Sequence, residues 1–311
     1  MMRLRVVCAG EDRSAVLTLL DAEPGVAHVL VARGVSRQPK GGDLIEATIA
    51  REVAQDVVQR LVDRGIGERG EIDLARIELA VSETARAAEH AAPGSGDEAI
   101  IWDELVETTG EESRLNPTFL LFLTIACLLA AIGVVADSPI TIVGAMVVSP
   151  DFGPLAAIAV GLVGRRRHLA AQGAVALGIG YPVAILVTLL LAVLAALIGV
   201  YEPSSITAPD NLDFVYRVGP ASFALAILAG VAGIIALTSD KSGPLIGVFI
   251  SVTTVPAAGF AALAAVAGDW GDFTQSILQL LVFLTGIALS GAVTLSVRRR
   301  HVMRRASRSS A

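Results

Sequence analysis

Two cysteines, four histidines and only 5% aromatic residues stand in a chain of 311, and these scarcities exclude several classes of function. Cys8 falls in a polar region and Cys127 in an apolar run, so the two are poor disulfide partners, and a reducing compartment suits the first. No His/Cys cluster has metal-ligand spacing. No phosphate loop and no nucleophile–base pair can be found, and the apolar part lacks a Gly-x-Gly-Asp, a metal-binding His pair or a Ser with an intramembrane His. His28 and His90 are isolated. No metal, cofactor or enzymatic activity is expected. No basic stripe accompanies exposed aromatics, so a nucleic-acid partner is not expected either. The opening stretch MMRLRVVCAGEDRS has too short an apolar core, followed at once by charges, to read as a signal peptide.

What the chain has in abundance is apolar surface: 54% hydrophobic residues and a mean hydropathy of +0.67, more than a water-soluble protein carries. The distribution is uneven. Before Pro117 there are 13 Lys+Arg against 22 Asp+Glu; from Pro117 onward there are 11 against 8. An acidic soluble portion precedes a mildly basic membrane portion.

Residues 3–82 alternate strand and helix patterns. RLRVVCA, VAHVLVARGV, DLIEATIA and IDLARIELAV read as strands. DRSAVLTLLDAE and EVAQDVVQRLVDRG read as helices, the second with a Val53, Val57, Leu61 stripe and Gly65 as a C-cap. The order βαββαβ predicts a small α+β ferredoxin-like or ACT-like cytoplasmic domain over residues 1–83. The basic hairpin residues Arg33, Arg37 and Lys40 could hold a regulatory anion or a lipid headgroup; a solvated turn is the competing reading. Residues 84–117 read as a linker, ARAAEHAAPGSGDE, followed by the acidic amphipathic helix IIWDELVETTGEESR, which should pack beneath the membrane domain and couple it to the soluble one. Asn116-Pro117 stops that helix.

Six apolar segments follow, at about 118–136, 139–163, 169–200, 219–238, 244–267 and 274–297, each near or beyond the roughly 20 residues that span hydrocarbon. Arginines 165–167 follow the second segment, and a basic tail, 298–311, follows the sixth. The positive-inside rule places both termini in the cytoplasm and the chain in the cytoplasmic (inner) membrane, with Tyr201, Tyr216 and Trp270 at interface level. The lipid bilayer is the expected partner, and small residues on several spans make a homo-oligomer plausible.

The second segment is broken. Its middle carries Ser149, Pro150, Asp151, Gly153 and Pro154, where prolines must kink the helix and an ionised acid costs about 2.5–3.5 kcal/mol on insertion scales. The fifth carries Ser251, Thr253 and Thr254 just before Pro256. Aligning the two segments pairs Asp137 with Asp240, Gly144 with Gly247 and, after one slipped residue, Ser149 with Ser251 and Pro154 with Pro256. An offset of three spans turns the second copy upside down, the pattern of a 3+3 inverted repeat whose broken second and fifth helices meet at midplane. Asp151 has two readings: it lines a pathway, or Ser149-Pro150-Asp151 merely caps a half-helix, with Ser as N-cap and Pro at N1. The hydroxyls near Pro256 line the same site or simply join helices.

VGAMVVSPDFGPLAAIAVG followed by PLIGVFISVTTVPAAG resembles the uncharacterised hydrophobic-domain family of bacteria and archaea, domain-of-unknown-function family 389. Gly144, Ala145, Met146, Ser149, Pro150, Gly153 and Pro154 match its first motif, and Gly247, Val248, Val255 and Pro256 its second. EESRLNPTFLLF looks like an actinobacterial branch. The chain departs from the family pattern at Ala257, where a second proline is common, and at Asp151, where many relatives carry an apolar residue. The resemblance implies a fold and no established function. A transporter or channel for a small solute or ion, with cytoplasmic regulation, is the leading expectation; a membrane-anchored sensor or scaffold whose soluble domain binds the ligand is the alternative.

Overall fold

Burial along the first strand, β1 (Met2–Cys8), sets up the N-terminal unit: Met2, Leu4, Val6 and Cys8 turn inward while Arg3 and Arg5 turn out, the two-residue period of a half-buried strand. The computed structural model describes residues 1–77, 79–92, 101–202, 216–238 and 254–309, with side chains as far as residue 300. The chain divides into two units, Met1–Asp103 with Arg300–Ala311, and Glu104–Arg299.

In the first unit β1 pairs antiparallel with β3 (Gly42–Ile49) on one side and β4 (Glu71–Arg76) on the other, and β2 (Val26–Ser36) pairs with β3, giving the order β2-β3-β1-β4. Helices α1 (Arg13–Asp21) and α2 (Arg51–Asp63) bring Val16, Leu19, Leu20, Val53, Val57 and Leu61 onto the buried face. Gly65, φ 73°, makes the left-handed turn between α2 and the short α3 (Ile66–Arg69). This is the strand order that a split βαβ pattern gives.

Two expectations about this unit are corrected. The fourth strand stops at Arg76 instead of running to Val81. Its partner β1 ends at Met2, opposite Arg76, and the Ile77 amide takes the Met1 carbonyl; beyond that point there is no strand to pair with. The segment read as linker begins as a helix, α4 (Glu83–Ala91). Ser82 accepts the Ala85 amide at 3.1 Å, and Ala85 and Ala88 are buried where α4 packs on β2 and β3. Alanine is small enough to suggest a linker, yet it is also the strongest helix former. Residues 93–98 lie outside the described residues.

The second unit holds most of α5 (Trp102–Glu112) and then α6 (Pro117–Val135), α7 (Pro139–Val148), α8 (Phe152–Val163), α9 (Arg167–Leu197), α10 (Pro220–Leu237), α11 (Thr254–Ala267) and α12 (Trp270–Ser309). The Asn116 side chain accepts the Phe119 amide at 2.7 Å with Pro117 at the first helical position, an N-terminal signature that ends the α5 segment and starts α6 cleanly. Among the described residues four helices are long and apolar enough to cross a membrane, five if the bent pair α7–α8 counts as one span. Residues 239–253, which include the first part of the fifth span expected at 244–267, lie outside the described residues, so six spans are not reached among those described. The last helix starts four residues earlier than expected and runs through Arg298–Arg300, because Asp272 suits its first turn and nothing breaks it. Tyr216, expected at an interface, is fully buried against Phe260 with ring centroids 4.5 Å apart.

Small residues set the packing distances. A Cβ on Gly173 of α9 would stand 2.4 Å from the Pro154 carbonyl oxygen of α8, and one on Gly230 of α10 would stand 2.5 Å from the Ile287 carbonyl oxygen of α12. Helices α8 and α11 are the most enclosed, apolar on every side, as a helix in the middle of a bundle must be. α11 packs on α6, α7 and α9.

Candidate functional site

Pro150 decides the local geometry. It forces the preceding Ser149 into an extended conformation (φ −67°, ψ 130°), which ends α7 at Val148, and the chain resumes as α8 at Phe152, bent by 52°. Asp151 takes the N-cap position of α8 but its side chain accepts no backbone amide there. The reading in which Ser149 caps the half-helix with Pro150 at N1 is therefore not the arrangement found; both residues belong to the gap.

The Asp151 carboxylate points instead into the bundle. Its Oδ2 accepts the Tyr181 hydroxyl of α9 at 2.8 Å and the Thr254 hydroxyl of α11 at 2.5 Å, and its Oδ1 accepts the Ser149 hydroxyl at 3.0 Å. Asp151 and Thr254 are completely buried and Tyr181 almost so. A buried carboxylate needs its lone pairs filled, and here three hydroxyls from three segments fill them. Among the described residues no cation pairs with it.

Of the residues expected at this site, Ser149, Asp151 and Thr254 come together. Pro150 shapes the gap. Gly153 and Pro154 form the first turn of α8 but face its neighbours: a Cβ on Gly153 would stand 2.6 Å from Glu112 Cβ and 2.9 Å from the Glu112 carbonyl oxygen, so the end of α5 lies directly on the start of α8. Gln172 of α9 fastens that end, its Nε2 donating to the Gly110 carbonyl at 2.7 Å and to the Ser113 hydroxyl at 3.0 Å. Pro256 is the third residue of α11 and buried. Ser251 and Thr253 lie outside the described residues. Tyr181 escaped the sequence reading. Its signal was a lone phenol between Gly180 and Pro182 in an otherwise aliphatic helix, a hydroxyl that burial obliges to find a partner.

Arg33, Arg37 and Lys40 are all exposed. Beneath their hairpin lies a group the sequence reading passed over: buried Asp43 accepts the Gly34 amide at 2.8 Å and pairs with Arg13 at 2.7 Å. The Gly34 amide, then the Arg13 guanidinium, hold its carboxyl below the ordinary carboxylate range, while burial, with Asp43 and Asp12 nearby, pushes the Cys8 thiol up. Among the described residues no group of three or more His, Cys, Asp or Glu could hold a metal ion. An apolar cavity of about 470 Å³ opens between α6, α9, Tyr201 and Leu263; none of the four residues of the Asp151 cluster lines it.

Residues 146–289 match the model of the family described as Domain of unknown function (DUF389). Over that stretch the chain is similar to the DUF389 domain. Ser149, Asp151, Tyr181 and Thr254 all fall inside the matched stretch, and the match supports the family that the two motifs resemble. An uncharacterized protein of Methanocaldococcus jannaschii is 24% identical over 204 residues, which is 64% of this chain and 60% of that protein; the chain thus spans about 60% of the length of this relative. No solved structure matches. Neither similarity distinguishes a branch within DUF389.

Proposed function

We propose that this DUF389-domain protein is a multi-pass transporter or channel for a small solute or ion, with its site where Asp151 meets Thr254 and with residues 1–83 as a cytoplasmic regulatory domain. The observation that carries the reading is the break before α8, where a buried acid in an apolar bundle bonds Thr254 of α11. α8 has 12 residues, about 18 Å at 1.5 Å per residue, against a hydrocarbon thickness of about 30 Å. Pro154 is the third residue of α8, and Pro256 stands two residues after Thr254 in α11. Half-helices that start at mid-depth from opposite halves of a chain are the usual frame of a transport site.

On this reading the bent pair α7–α8 is the second of six spans, α11 belongs to the fifth, and the six form a 3+3 inverted repeat. The arginine clusters at 165–167 and 298–300 put both termini in the cytoplasm of a cell with this protein in its inner membrane. The protein performs no covalent chemistry, its surroundings are lipid, and small residues on its helices allow a homo-oligomer.

The test is cysteine accessibility. With Cys8 and Cys127 removed, single cysteines at 151 and 254 are exposed to an impermeant thiol reagent from each side of sealed vesicles. Labelling of both, from either side, is expected for a water-connected site. Protection from both sides in folded protein, at every pH and salt tried, would sink the transport reading. One observation favours the alternative of a membrane-anchored sensor or scaffold: Asp151 and Thr254 are fully buried. Ligand binding by the soluble domain, together with such protection, would establish that alternative.

A further inference from the structure

The apolar cavity of about 470 Å³ between α6 and α9 has the size of a small-molecule site, for which about 300–1,000 Å³ is usual. One end of it is shaped by backbone. At Gly199, φ 75°, the chain leaves α9 through a left-handed turn. The Val200 amide takes the Ala195 carbonyl at 2.9 Å and the Gly199 amide takes the Ala196 carbonyl at 3.1 Å, a Schellman closure that turns the chain back on itself. Val200 and Tyr201, which follow, both line the cavity. The Tyr201 hydroxyl is already engaged, donating to the Ala192 carbonyl at 3.1 Å. The remaining walls are aliphatic, and among the described residues no charged side chain lines them.

Thr188 of α9 departs from this pattern. It lines the cavity, it is completely buried, and among the described residues its hydroxyl has no hydrogen-bond partner. A threonine inside a helix commonly donates to the carbonyl four residues back. Thr124, Thr285 and Thr294 do so in α6 and α12, at 2.7, 2.6 and 2.8 Å. Thr188 does not make that bond, so a polar group is left at an apolar wall, a costly position until a partner arrives. Water does not suit the place, because a buried water needs about two to four polar partners and the cavity offers one free hydroxyl. The ester of a bilayer lipid does not suit it either. Residues 189–200, between Thr188 and Tyr201, carry neither charge nor hydroxyl, so Thr188 lies far below the end of α9, whereas lipid esters stay at headgroup level.

We infer that this cavity binds a small uncharged aliphatic molecule bearing one hydroxyl or carbonyl oxygen, which accepts a hydrogen bond from Thr188 while its chain covers the apolar walls. The walls supply affinity, and Thr188 supplies preference for an oxygenated chain over plain hydrocarbon. The site is separate from the Asp151 cluster and does not depend on the transport reading.

The test uses the full chain in lipid nanodiscs and octanol carrying a diazirine in its chain as a photolabel. Adducts are expected within residues 128–136 and 188–195. Unlabelled octanol should compete better than octane at equal concentration in the bilayer. Thr188→Val should shrink that preference by roughly 2- to 12-fold, the effect of one ordinary hydrogen bond, and Ala195→Phe, which fills the cavity, should abolish the adducts. No adducts at these residues in folded wild type, or undiminished labelling of A195F, would overturn the site. Equal competition by octanol and octane in wild type would reduce it to ordinary contact with lipid chains and overturn the assigned chemistry. A second readout needs no ligand: T188V should melt no lower than wild type, because an unpartnered hydroxyl contributes no bond to lose. A clear fall would mean that Thr188 already has a partner inside the protein, and the inference would fail.

Discussion

The hydroxyl of Thr254 stands 2.5 Å from Oδ2 of Asp151, a residue 103 positions earlier in the chain. That single contact joins the break in the α7–α8 pair to α11. It also explains how an acid tolerates a fully buried position: Thr254 shares Oδ2 with Tyr181, and Ser149 takes Oδ1. Serine, tyrosine and threonine each serve the same carboxylate from a different segment, so the cluster holds three parts of the bundle in register.

Thr254→Val and Tyr181→Phe each delete one donor while keeping shape. Each should destabilise the protein by about 1–3 kcal/mol, the cost of leaving a buried polar group short of a partner. Because both hydroxyls serve Oδ2, the double variant should lose less or more than the sum of the two. Unfolding temperatures in one detergent measure all three; strict additivity would mean that the shared oxygen does not couple them.

Gly153→Ala should cost about 1–3 kcal/mol from overpacking, since the new methyl would stand 2.6 Å from Glu112 Cβ and 2.9 Å from a backbone oxygen. Gly144→Ala, in the same sequence motif, has no described residue within 4 Å of the added carbon and should be tolerated. If the two variants melt alike, the close approach of α5 to α8 is not what Gly153 provides.

Gln172→Leu removes both bonds that fasten the end of α5. The expected loss is about 0.5–1.5 kcal/mol per bond, felt locally: amide exchange in residues 105–113 should quicken while that in α6 does not. Equal protection in variant and wild type would show that apolar packing alone holds α5.

Asp43 gives the N-terminal unit an acid sensitivity of known sign. Its carboxyl is held below the ordinary value of 3.8, so its contribution to stability is fully present above that value and is lost as pH falls through the lower, folded-state value. Asp43→Asn should weaken the unit at neutral pH and flatten its loss of stability below about pH 4. Circular dichroism of the β-sheet during acid titration measures this, and parallel curves for variant and wild type would contradict it.

Much of this architecture was legible because it is written in local patterns. The two-residue burial period of Met2, Leu4 and Val6, the Val53–Val57–Leu61 stripe, Asn116-Pro117 at a helix start and the pair of prolines in VVSPDFGP all act through neighbours in sequence. Misreadings came where a local pattern was ambiguous or depended on a distant partner. Alanine-rich 83–91 reads equally as linker or helix until a sheet is there to bury Ala85 and Ala88. β4 stops where β1 runs out, which no residue within β4 announces.

The sequence by itself determined the membrane character of the helical part, the small α+β unit before it and the position of the break, since hydropathy, periodicity and proline stereochemistry are properties of short stretches. Only the tertiary structure decided what the break is for locally. Whether Asp151 caps its own helix or reaches across the bundle depends on which hydroxyls arrive beside it, and those come from Tyr181 and Thr254, 30 and 103 residues away. A buried carboxylate takes the partners that packing delivers, and packing is not a local property.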